Sequence, residues 1–76
     1  MKTPLTGIAI DLYNLAVELD AAAASLRSLA IHATTGHTLT ALMSAADANQ
    51  ERSRRLRWLS NNVRNASRAV QQEAQR

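Results

Sequence analysis

The sequence predicts an all-α protein, an antiparallel hairpin of two long helices that dimerises into a four-helix bundle. Three observations lead there. Apolar residues alternate at spacings of three and four along the first half of the chain and again along its last third. The composition is that of helices: apolar residues make up 46% of the 76 residues, mostly Ala and Leu, with no Phe, two Gly and one Pro. The strongest break in the pattern is Gly36, near the middle. The whole chain, 1–76, is therefore read as one helical-hairpin domain, with helix 1 at about 4–34, a turn at about 35–38 and helix 2 at about 39–74.

Helix 1 begins at Thr3-Pro4, a capping residue followed by proline at the first helical position. Its apolar positions are Leu5, Ile8, Leu12, Leu15, Leu19, Ala22, Leu26, Leu29 and Ala33, a heptad seam over four repeats. With Leu5 and Leu12 at a and Ile8 and Leu15 at d, every e position is a small residue: Ala9, Ala16, Ala23 and Ala30. Gly36 is expected to end this helix in a left-handed conformation. Thr38 is expected to cap the next one.

Helix 2 has its clearest seam at Leu56, Leu59, Val63, Ala66 and Val70. Extended backwards, the same register passes through Arg52, Asn49, Ala45 and Leu42, so two polar residues interrupt it. A short turn makes the helices antiparallel. The expected hairpin seam pairs Leu12, Leu15 and Leu19 with Val63, Leu59 and Leu56, and sets Ala22 against Arg52. The e positions then face Ser67, Ser60, Ser53 and Ala46, and Glu18 faces Arg55 as an orienting ion pair. Asn49 reads as a register-fixing polar residue, and Arg52 as one that snorkels towards Asp20 or Glu18. Small e residues either let the helix axes approach closely or leave a shallow face for further helices.

Helix 1 also carries Ile10, Val17 and Ile31 at f and Tyr13 at b. With the seam, these make an apolar arc too wide for one neighbouring helix. Two helices of this size bury too little surface to offset chain entropy. A homodimer is the expected resolution, and Ile10, Tyr13, Val17, Ile31 and Trp58 are the candidate dimer or partner face.

Charge is uneven. Residues 1–50 carry Lys2 and Arg27 against Asp11, Glu18, Asp20 and Asp47, a sum of −2, whereas 51–76 carry seven Arg against Glu51 and Glu73, a sum of +5. Arg54, Arg57, Arg64 and Arg68 form a candidate stripe for nucleic acid or an acidic partner, since guanidinium groups bind phosphate and carboxylate in a bidentate manner. The competing reading is a solvated face paired with local acids. Apart from Trp58, the aromatics that usually stack bases are missing.

No catalytic grouping stands out. His32 and His37 are five apart across the turn rather than on one helical face, and Asp11 and Glu18 have no further metal ligands on their flank. Cysteine is absent, so neither a disulfide nor a thiolate zinc site is available. The sequence is read as non-enzymatic, without cofactor, metal or small-molecule substrate. Asp11, Asn14 and Glu18 interrupt any apolar leader, and no run approaches the length of a membrane span. A cytoplasmic protein that does not enter the membrane is expected.

In architecture the expected dimer resembles the Rop family of plasmid copy-number regulators, dimers of helical hairpins that bind paired RNA loops. The likeness lies in length, heptad seams, small residues at helix contacts and a short turn, and no RNA-contacting residue carries over. Two functions are thus expected in order: an adaptor or inhibitor that binds a larger protein, then a small RNA- or DNA-binding regulator using the arginine stripe.

Overall fold

The computed structural model describes residues 4–75, and the expected Thr3 cap lies outside them. Two helices, α1 (Pro4–Ala30) and α2 (Gly36–Ala74), form an antiparallel hairpin, and no strand occurs among the described residues. Cross-helix bonds fix the longitudinal alignment. Thr6 Oγ1 and Ser67 Oγ lie 3.0 Å apart near the open end, and Arg27 Nη2 lies 3.1 Å from Asp47 Oδ1 near the turn.

The turn differs from the one the sequence suggested. Helix α1 stops at Ala30, where tighter bonds from the His32 and Ala33 amides to the Leu29 and Ala30 carbonyls, 3.0 and 3.1 Å, close its last turn. Thr34-Thr35, β-branched and poor at continuing a helix, follow. Thr35 rather than Thr38 caps α2: its backbone is extended, and its Oγ1 accepts the Thr38 amide at 3.1 Å. Gly36 is the first residue of α2 and has no left-handed conformation. Because Arg27 already meets Asp47, the first two turns of α2, about 36–43, extend beyond the end of α1.

The seam is rotated from the expected one. Among the described residues, the buried ones are Ala9, Ala16, Ala23 and Ala30 on α1 and Ala46, Ser53, Ser60 and Ser67 on α2. These are the e positions. The a positions Leu5, Leu12, Leu19 and Leu26, with Leu42, Asn49, Leu56 and Val63, are half-buried beside them. The hairpin therefore closes on a and e, a turn of each helix by about 50° from an a and d seam. Of the expected seam residues, Leu12, Leu19, Leu56 and Val63 stay at the junction. Leu15 and Leu59 do not: they are 48% and 42% exposed.

The physical reason lies in the columns themselves. On α2 the d column is Ala45, Arg52, Leu59 and Ala66, and closing on it would push an arginine between the helices. The e columns contain nothing larger than alanine or serine between Ala9 and Ala30 and between Ala46 and Ser67. Side chains this small let the two backbones nearly touch. The Ser60 hydroxyl, one bond beyond its Cβ, donates to the Ala9 backbone carbonyl at 2.7 Å. Among the described residues no buried side-chain polar atom lacks a hydrogen-bond partner, so the serines are accommodated without an orphaned group.

Candidate interaction surfaces

Closing on a and e gives the hairpin two unlike broad faces, one built from the b columns and one from the d columns. The b face is polar and clasped. Asp20 of α1 forms an ion pair with Arg57 of α2, and the Arg57 guanidinium lies 5.8 Å from the centre of the Tyr13 ring. Arg27 bonds to Asp47 at 3.1 Å and to Gln50 at 2.6 Å. Tyr13, Asp20, Arg27, Gln50 and Arg57 are all b positions, so their contacts show which face is which.

The d face is apolar and uncovered. It carries Ile8, Leu15, Ala22 and Leu29 from α1 beside Ala45, Arg52, Leu59 and Ala66 from α2. Ile8, Leu15, Leu29 and Leu59 each remain between 42% and 58% exposed. Arg52 is exposed and forms no ion pair with a described residue; Asp20, one of its two expected partners, lies on the opposite b face with Arg57. The expected Glu18–Arg55 pair does not form within the hairpin either. Both are g positions on the outer rims of the d face, and Arg55 turns to Glu51 on its own helix at 3.5 Å.

The other predicted interaction residues do not form one surface. Ile10, Val17 and Ile31 share the f column of α1, next to Tyr13, and all four are exposed, Ile31 by 81%. Trp58 is 66% exposed but sits at c on α2, on the side of the hairpin facing away from α1. The arginines are divided as well. Arg57 belongs to the b-face clasp, and Arg54 lies 3.8 Å from Glu51. Arg64 and Arg68 are exposed and pair with no described residue. The stripe thus has two unengaged cations, about a turn apart, rather than four.

The d face was the surface that sequence reasoning absorbed into the seam. Its signal was present in the unbroken small residues at e and in Arg52 at d, which together favour a closer seam rotated towards e.

No described group of three or more His, Asp or Glu residues could hold a metal ion. A shallow depression on the outside of α1, lined by Ala24, Ser25, Ser28, Leu29 and His32, reflects the small side chains there. No helix among the described residues is long and apolar enough to cross a membrane. No protein-family model matches the chain, and no curated protein or solved structure is significantly similar to it.

Proposed function

We propose that this chain is a non-enzymatic interaction protein, a dimer of helical hairpins that acts as an adaptor or inhibitor by binding a larger protein. One observation carries the reading. Among the described residues the hairpin fully buries only alanine and serine, while twelve large apolar side chains remain at least 38% exposed. Burial of large apolar groups is what offsets chain entropy, and here the a-column leucines are only half-buried, so much of it is left for a neighbour to supply. The exposed residues point in several directions, so self-association through one face leaves others for a partner. The cytoplasm is the proposed setting, consistent with a chain that has no cysteine to oxidise.

The test is capture of a stoichiometric partner from a lysate of the producing cells, with the Ile10→Asp, Val17→Asp and Trp58→Ala variants as controls. Loss of capture in those variants and retention in an Arg64→Ala, Arg68→Ala variant supports the reading. The second reading, a regulator that binds RNA or DNA, rests on Arg64 and Arg68, which form no ion pair with a described residue. Retardation of RNA that falls steeply with salt and vanishes in the Arg64→Ala, Arg68→Ala variant would favour it. Two unengaged arginines without a stacking aromatic beside them make it the weaker of the two.

A further inference from the structure

The apolar d face poses a question with a geometric answer. Where the two helices lie side by side it is about 40 Å long, the length of the 27-residue α1, and 16 Å wide, about 650 Å² in projection and on the scale of the roughly 800 Å² per partner of a standard stable interface. Its rims carry opposite charge. Along the α1 rim stand Asp11 and Glu18, and on the α2 side stand Arg52 in the face and Arg55 on the rim. Neither Asp11 nor Glu18 forms an ion pair with a described residue. One surface thus presents apolar rows between an acidic edge and a basic one.

We infer that this face binds a second copy of the chain, and that the two-fold axis runs parallel to the helices, so that α1 of each hairpin packs on α2 of its partner. The inference deepens the proposed dimer and rests on that reading. Two hairpins stacked face to face can be related by a two-fold axis in either of two directions. An axis across the helices stacks α1 on α1 and α2 on α2. It then sets Asp11 and Glu18 against the partner's acidic rim, and Arg52 and Arg55 against the partner's basic one. Like charges brought together at an interface oppose association.

An axis along the helices does the reverse. It lays the acidic rim of α1 beside the basic rim of the partner's α2 at both ends of the pair, and it keeps residue heights unchanged. Because Arg27 meets Asp47 and Thr6 meets Ser67 within one hairpin, residues of α1 and α2 whose numbers add to about 74 are level. Leu15 then lies against Leu59 of the partner subunit, Leu29 against the small Ala45 of the partner subunit, and Ile8 against the equally small Ala66 of the partner subunit. Glu18 comes level with Arg55 of the partner subunit, and Ala22 leaves room for Arg52 of the partner subunit to reach outwards. Large meets small or large meets large, and Arg52, the one charge within the rows, has its way out past Ala22 towards the acidic rim that carries Glu18. All four nearest-neighbour helix contacts in this bundle are antiparallel. The b face and the Ile10, Val17 and Ile31 column stay outside, and so does Trp58.

The experiment takes advantage of a chain with no cysteine. Glu18→Cys and Arg55→Cys chains are prepared separately, checked for helicity, mixed through a denature–refold cycle and treated with a short thiol-to-thiol cross-linker. The mass of the unmodified chain is measured by light scattering over a concentration range. The expected result is a particle of twice the 8.3 kDa chain mass, with covalent dimers from the mixture and none from either variant alone. Cross-linking of Glu18→Cys to itself would show α1 on α1 and overturn the proposal. So would a dimer that cross-links in none of the three samples, since it would use another face. A helical monomer at every concentration would overturn the dimer while leaving partner capture, tested separately through Ile10, Val17 and Trp58, unaffected.

Discussion

The Ser60 hydroxyl donates to the backbone carbonyl of Ala9 across the helix pair, 2.7 Å away. A side chain with a single rotatable bond to its hydroxyl reaches the neighbouring main chain only where nothing larger than alanine separates the helices. The column of small residues is thus a distance constraint, and it assigns the structure a sensitivity opposite to that of a leucine-packed core.

Ala16 is the sharpest place to see this, being 0% exposed at the middle of the column. Ala16→Leu is expected to destabilise the protein by about 1–3 kcal/mol, because three added carbons must force the helices apart. Ser60→Ala, by contrast, is expected to cost about 1 kcal/mol, the net value of an ordinary hydrogen bond. Urea unfolding of the two variants checks the order, and a gain in stability for Ala16→Leu would mean that the axes are not held at close approach.

The clasp on the b face is expected to contribute little. Arg57 and Asp20 have side chains 47% and 37% exposed, so solvent screens their attraction. A double-mutant cycle on Arg57→Ala and Asp20→Ala should give a coupling of about 0.2–1 kcal/mol, falling as salt is raised. Its main use is orientation: it bridges the helices on the face opposite the apolar d columns.

The helices, their number and their antiparallel course were legible from the three-and-four spacing and the break at Gly36. The seam was legible only to one side of its centre. A hydropathy pattern ranks Leu15 and Leu59 above Ala16 and Ser60, whereas helix packing weighs size: leucine columns hold axes apart and small columns draw them together. Arg52 in the d column was the local clue, since a seam one step towards e moves it out to solvent. The candidate partner residues divided for a related reason. Once the seam turned, Trp58 and the f column of α1 came to face different directions, which spacing along each helix does not reveal. The pairing of Arg57 with Asp20 was out of reach because it depends on that same rotation.

The turn yields a paired prediction. Thr35 accepts the Thr38 amide and donates from its own hydroxyl to Thr38 Oγ1 at 2.9 Å, so the capping acceptor is Thr35. Thr35→Ala is expected to cost about 1 kcal/mol and Thr38→Ala distinctly less. Gly36→Ala should go the other way. Its backbone is helical, and an added Cβ meets no atom within 4 Å, so reduced freedom in the unfolded chain should stabilise by about 0.4–1 kcal/mol. Thermal unfolding of the three variants decides the matter. A destabilising Gly36→Ala would instead indicate the left-handed helix end that the glycine alone suggested.

Leu15 separates what one hairpin holds from what two hold. In a lone hairpin it is 48% exposed, so Leu15→Ala removes a side chain that water already half covers, and the cost should stay near 1 kcal/mol. Sealed against a second copy it is a core residue, and the same change should cost about 2–5 kcal/mol. Concentration distinguishes the cases because association stabilises only as far as mass action allows. The unmodified chain should unfold at higher denaturant as protein concentration rises, and Leu15→Ala should shift that dependence so that dimers require more protein to form. Leu12→Ala offers the internal comparison, since Leu12 borders the Ala9 and Ala16 column and its loss weakens the hairpin itself. If Leu15→Ala and Leu12→Ala behave alike at every concentration, the two leucines share one environment, and the division between a hairpin seam and a separate docking face fails.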